Sequence, residues 1–150
     1  MLQIKSATAA DLDFIIAAQQ RMAWETEQLT LPTARLTQGV AAVLNDPTKG
    51  EYWVGLWHGK PVSCLLLTSE WSDWRNGWVI WLQSLYVLPE YRQKGIFKAM
   101  YRHLQAEVCE RNDWHGIRLY VDQRNHSAIG VYEALNMDSA HYKLYEWLPN

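Results

Sequence analysis

The stretch Ser84-Leu85-Tyr86-Val87-Leu88-Pro89-Glu90-Tyr91-Arg92-Gln93-Lys94-Gly95-Ile96-Phe97-Lys98 reads as the end of a buried strand, a short turn and the first turn of a helix. The apolar run from Trp78 to Val87 stops at Pro89, which has no N–H to offer a sheet ladder. From about Ile96, apolar residues recur at helical spacing: Phe97, Met100, Tyr101, Leu104 and Val108. Between the two lies Arg92-Gln93-Lys94-Gly95. No acidic residue occurs from Tyr91 to Arg102, while Arg92, Lys94, Lys98 and Arg102 are all basic. A helix start carries unpaired N–H groups and the positive end of the helix dipole. A glycine lets another group approach that backbone closely. The combination suits an anion, a phosphate above all. By spacing alone, an ordinary strand–turn–helix with a solvated basic face fits equally well. There is one glycine, and neither a Walker pattern nor a GxGxxG.

Working outward, Leu2 to Lys5 alternates and predicts a first strand. Thr8, with Asp11 three residues on, has the form of a capping box before a helix that reaches Met22 or Ala23. Trp24 to Pro32 then reads as a polar loop, and Thr33 to Leu44 as a second helix ended by Asn45-Asp46-Pro47. Tyr52–Trp57 and Val62–Ser69 form a hairpin around His58-Gly59-Lys60. Asn76-Gly77 turns the chain into the long strand Trp78–Val87. After the third helix, Ile117–Val121 is a short apolar strand with Arg118 inside it, the parallel partner expected after a helical crossover. Ser127–Leu135 reads as a fourth helix, and Tyr142–Leu148 as a last strand. The order β-α-α-β-β-β-α-β-α-β predicts an α/β (α+β) protein with a mixed sheet covered by helices.

The 150 residues amount to one domain, and the formal charge of −2 argues against a general nucleic-acid binder. Residues 1–85 carry six Lys/Arg against eight Asp/Glu, and the remainder carries eight of each, with four of the basic ones concentrated at 92–102. Cys64 and Cys109 fit no disulfide or metal framework, and the five histidines show no metal spacing, so no metal is expected. The start, Met1-Leu2-Gln3-Ile4-Lys5, lacks a signal-peptide core, and no apolar run approaches a membrane span; a cytoplasmic protein is the expectation. Nine Trp and eight Tyr against two Phe suit packing and also recognition of flat or cationic ligands.

The run Leu85 to Ile96 resembles the signature of the GNAT superfamily of N-acetyltransferases. There a strand ending in Val-x-Pro is followed by Gln/Arg-x-x-Gly-x-Gly/Ala opening a helix. This chain supplies Arg92 and Gly95, with Phe97 where the family usually has Gly or Ala. A second resemblance runs from Arg118 to Met137: a strand, then Asn125, a short helix bearing Tyr132, and Tyr132-Glu133-Ala134-Leu135-Asn136-Met137, with Asn136 where Gly is usual. Asn tolerates the left-handed conformation that a helix end needs. The element order matches the GNAT fold along essentially the whole chain.

The resemblance implies a single GNAT domain over residues 1–150 that uses acetyl-CoA as co-substrate. It assigns the pyrophosphate to Arg92, Gln93, Lys94, Gly95, Ile96, Phe97 and Lys98, and the pantetheine arm to Leu85, Tyr86 and Val87. It also implies a coenzyme contact for Asn125 and the role of general acid, protonating the departing thiolate, for Tyr132. The structural alternative for Tyr132 is core packing. Many relatives have a base, Glu, where this chain has Gln83. Glu25, Glu27, Glu70 and Asp73 remain as carboxylates near the expected acceptor wall, with Glu25 and Glu70 ranked first, beside a water path with no single base. Trp24, Glu25, Trp71, Trp81, Gln83 and Tyr142 form the candidate amine pocket. The expected activity is direct transfer to a primary amine of a small molecule or peptide, without a covalent cysteine intermediate. The alternative is a non-catalytic acyl-CoA-binding module. A homodimer is the expected assembly, and neither nucleic acid nor membrane is an expected partner.

Overall fold

Alternation of apolar side chains along three long strands, together with two breaks in that alternation, sets the architecture. The computed structural model describes residues 1–150 in two compact units, Met1–Leu119 and Tyr120–Asn150.

In the first unit, five strands lie in the order β1 (Leu2–Ser6), β2 (Glu51–Trp57), β3 (Lys60–Ser72), β4 (Gly77–Val87) and β5 (Trp114–Arg118). The first four are antiparallel neighbours, and β5 runs parallel to β4. Three helices, α1 (Leu12–Glu27), α2 (Thr33–Asn45) and α3 (Ile96–Glu110), complete the unit. One sheet face packs Trp53, Leu65, Leu67, Ile80 and Leu82 against Ile96, Met100 and Leu104 of α3. The other packs Tyr52, Val54, Cys64 and Tyr86 against Ile15 and Ala18 of α1 and Val40 of α2.

Leu82 and Tyr86 are four residues apart on one strand and should share a face. They lie in opposite clusters. The cause is a β-bulge: Cys64 pairs with Tyr86 and Leu66 with Gln83, so Leu65 alone faces both Ser84 and Leu85. Ser84 adopts the left-handed conformation, φ 52°, that such a bulge uses. A second register shift between Gly55 and Leu56 makes the matching correction between β2 and β3.

Several predicted boundaries move. α1 continues one turn past Ala23 to Glu27, so Trp24 and Glu25 are helical rather than in a loop. Gln28 ends it at φ 54°, giving its N–H to the Ala23 and Trp24 carbonyls, and Thr26 Oγ1 bonds back to Met22 O at 2.8 Å. β5 lies at Trp114–Arg118, three residues before the predicted Ile117–Val121. Its start is set by pairing with the head of β4, where Trp78 N–H donates to Asp113 O at 2.8 Å and Trp78 pairs with Trp114, whose ring lies 4.1 Å from the Arg111 guanidinium.

In the second unit the regular element is α4 (His126–Ala134). The strand expected at 142–148 is not formed there, because an extended segment becomes a strand only against a ladder partner and this unit contains no other strand. Asn136 does take the left-handed conformation, φ 62°, after α4. No helix is long and apolar enough to cross a membrane.

Gly55 faces Ser63 across the β2–β3 shift, and a Cβ there would stand 2.2 Å from Ser63 Oγ. Ser63 is fully buried and bonds Met100 Sδ at 3.0 Å, so it has no free room to yield. Gly55→Ala should cost about 1–3 kcal/mol, read as a lower urea midpoint with unchanged slope. An unchanged midpoint would contradict this packing.

Candidate active site

The turn after β4 is built from a single 3-10 turn, Pro89–Tyr91, followed by Arg92 to Gly95. Gln93 and Gly95 both have positive φ, 61° and 75°. A Cβ at Gly95 would meet nothing within 4 Å, so the conformation, not crowding, asks for glycine there. Gly95 is the N-cap of α3, and the helical ladder begins with Ala99 N–H on Gly95 O at 2.9 Å. No side chain caps this end and no acidic residue lies in its first turn. The first-turn N–H groups therefore point out of the helix end into a basic environment set by Lys94 and Lys98. Lys94 Nζ rests 4.9 Å from the Tyr91 ring centroid. Phe97 is half-buried on the first turn.

Beside the turn, β4 outruns its parallel neighbour. The β4–β5 pairs end at Trp81↔Arg118, while β4 continues to Val87. Within this unit, the β4 backbone from Leu82 onward has no ladder partner on the β5 side. The segment includes the bulge and Leu85-Tyr86-Val87. Tyr86 is buried, and Leu85 and Val87 pack on the opposite cluster, against α3.

On the α1/α2 side of the sheet, β4 presents two similar polar groupings. Glu70 accepts from Trp81 Nε1 at 3.0 Å and from Arg118 Nη1 at 2.8 Å. Glu25, in the last turn of α1, accepts from Tyr86 Oη at 2.7 Å and from Arg92 Nη2 at 2.7 Å. Gln83 lies between them and donates to Thr68 Oγ1 at 2.6 Å. Each carboxylate is thus held by one aromatic donor and one arginine. Burial pushes the Glu25 carboxyl up, but the hydrogen bonds from Tyr86 and Arg92 and the charges of Arg92 and Arg21 outweigh it, leaving it below its ordinary value. The Tyr86 phenol is pushed up to about 12 by burial and by its bond to Glu25.

The structure brings Trp81, Gln83 and Glu70 onto this face, with Glu25 and the 60% exposed Trp24 at the end of α1. It does not bring Trp71 to them. Trp71 pairs with Trp78, and their rings meet edge to face at 5.0 Å on the α3 side of the sheet. Arg118 and Thr68 were not among the candidates. The signal for Arg118 was a lone arginine inside an apolar strand, a position that requires a counter-charge.

In the second unit, Asn125 is the N-cap of α4, its Oδ1 accepting from Ala128 N–H at 3.1 Å. The amide NH₂ is a further donor group on the same side chain. Tyr132 lies in the last turn of α4, and burial raises its phenol above the ordinary value. Tyr142 follows α4 in the irregular segment.

A profile of the acetyltransferase (GNAT) family matches residues 13–137. No curated protein sequence matches the chain significantly. Among solved structures, a "possible acetyltransferase" from Clostridium difficile 630 is 40% identical, with a TM-score of 0.94 over 100% of this chain and 99% of that one. A predicted acetyltransferase from Clostridium acetobutylicum, solved with acetyl-CoA, is 18% identical, with a TM-score of 0.75 over 97% and 96%. AAC(6')-Iy, in complex with a bisubstrate analogue joining CoA to monomethyl-acetylneamine, is 15% identical, with a TM-score of 0.76 over 100% and 99%. The last two likenesses concern the fold.

The lowered Glu25 carboxyl carries a pH dependence. A carboxyl whose folded value lies below its unfolded one stabilises the fold above the unfolded value, 4.5, and loses that contribution as pH falls through the folded value. Glu25→Gln should therefore lower the urea midpoint at about pH 7 and make a smaller difference at about pH 3. An equal difference at both pH values would contradict the pairing.

Proposed function

The chain belongs to the acetyltransferase (GNAT) family, and we propose that it moves an acetyl group from acetyl-CoA directly onto a primary amine of a small molecule or peptide. The observation that carries this reading is the uncapped, acid-free start of α3, reached through Gly95 in the left-handed conformation. An oxyanion there meets several backbone N–H groups and the helix dipole together.

In this reading the pyrophosphate of acetyl-CoA lies against the backbone from Gln93 to Lys98. The amides of its pantetheine arm pair with Leu85-Tyr86-Val87 as an added strand. The extension of β4 past its last β5 pair supports that placement. A β4 N–H polarises the thioester carbonyl where negative charge develops. The amine nitrogen attacks the carbonyl carbon, a C–N bond forms, and the C–S bond breaks as the intermediate collapses. Tyr132 gives its phenolic proton to the thiolate; this role is carried by the family resemblance, and a raised phenol value keeps the proton in place at neutral pH. Trp81 and Gln83 face the acceptor, with Trp24 at the α1 end. Of the two carboxylates ranked as base, Glu70 is the one on β3, on the same sheet face as Gln83, and it takes the proton the amine releases, directly or through water.

A second reading, a module that binds acyl-CoA without turnover, is favoured by Gln83 in the usual place of Glu and by the ion pairs on both Glu25 and Glu70. Tyr132→Phe separates the two. The enzyme reading expects the variant to bind acetyl-CoA as the parent does while losing about 10²-fold or more in turnover on an amine panel. A parent protein that binds acetyl-CoA yet acetylates no member of a broad panel would establish the module instead.

The anion site has its own test. Gly95→Asp places a carboxylate at the helix start and an L-residue at φ 75°. Calorimetric titration with acetyl-CoA should show binding by the parent and none by the folded variant. Equal binding by both would place the coenzyme elsewhere.

A further inference from the structure

Glu25 reaches two parts of the site at once. It belongs to the last turn of α1, three residues before the helix ends at Gln28. Its Oε1 accepts from Tyr86 Oη, on β4 just past the bulge. Its Oε2 accepts from Arg92, the first residue of the turn that leads to Gly95. Arg92 is itself fixed on two other sides. Its Nε donates to Val87 O at 3.0 Å, and its guanidinium stands 5.3 Å from the Tyr86 ring centroid. The end of α1 is therefore joined to β4 and to the anion turn, 61 and 67 residues away in sequence, through one carboxylate and one guanidinium.

An exposed ion pair between two flexible side chains is worth little. This one differs in geometry. Both carboxylate oxygens are engaged, one by a phenol and one by a guanidinium, and the guanidinium has a carbonyl and a ring as further partners. Charge-assisted bonds held from several sides are the strong and orienting kind.

We propose that Glu25 is a positioning residue that ties the end of α1 to the anion turn, so that filling the turn orders the helix end where the amine acceptor docks. The inference rests on the acetyl-CoA reading above. Coupling of this kind is reciprocal: whatever acetyl-CoA does for the amine, the amine does for acetyl-CoA. It makes the coenzyme the partner that prepares the acceptor side, through the four contacts of Glu25 and Arg92 named above.

Hydrogen exchange on the full chain, with and without coenzyme A as the probe, tests this without an acceptor. In the parent, coenzyme A should slow exchange at residues 93–99 and also at residues 26–29, the latter by about tenfold, within the usual range for coupled sites. In Glu25→Gln, protection at 93–99 should persist while the effect at 26–29 disappears. Tyr86→Phe, which leaves the ion pair, should keep part of it. A merely structural role would lower the melting temperature of Glu25→Gln but leave the coenzyme-dependent protection of 26–29 in place, and that result would overturn the proposal. Protection confined to 93–99 in the parent would overturn it too. If the folded parent shows no coenzyme protection at all, the acetyl-CoA reading falls. The tie is still decided by the ligand-free samples, where Glu25→Gln must speed exchange at 26–29 and equal rates would refute it.

Discussion

The bulge at Ser84 is the constraint on which the site depends. One extra β4 residue opposite Leu65 reverses the alternation of the strand. Without it, Tyr86 would point to the α3 side with Leu82, and its hydroxyl could not reach Glu25. With it, Leu85 and Val87 secure the strand end to the α3 cluster while Tyr86 turns to α1. The left-handed backbone of Ser84 is a cost of the order of 1–3 kcal/mol for a non-glycine residue. The bulge lies two pairs from the Val87 end of the β3–β4 ladder, in the part of β4 that extends beyond its last β5 pair.

The polar groups on this face are arranged by the same strand. Glu70 with Trp81 and Arg118, and Glu25 with Tyr86 and Arg92, are two carboxylates each neutralised by an arginine. The face is therefore rich in charge without being strongly acidic, despite its two glutamates. Lys94 and Lys98 add positive charge at the start of α3, whose first turn holds no acidic residue. Electrostatics thus separates a basic turn from a charge-balanced sheet face a few residues away along the chain.

Much of this could be read from sequence because it rests on local chemistry. Pro89 ended the strand, Gly95 marked the positive-φ N-cap, and the apolar spacing from Ile96 gave α3 nearly to its observed end. The resemblance to the family was equally local, and the profile match over residues 13–137 bears it out. Long-range features were not readable in the same way. The extra turn of α1 is fixed by its Gln28 cap and carries a carboxylate whose partners lie 61 and 67 residues away. Trp71 and Trp81 were placed together in the candidate amine pocket, but strand pairing sends them to opposite faces. The strand at 142–148 was inferred from alternation, and alternation alone does not supply a pairing partner.

Acetyl-CoA titrated into isotopically labelled protein, with backbone amide resonances followed by NMR, tests the central claim most directly. The account predicts that the amides of residues 93–98 move together along one saturable curve, as N–H groups that take up an oxyanion do. Saturable shifts that leave those amides in place and cluster elsewhere would contradict it.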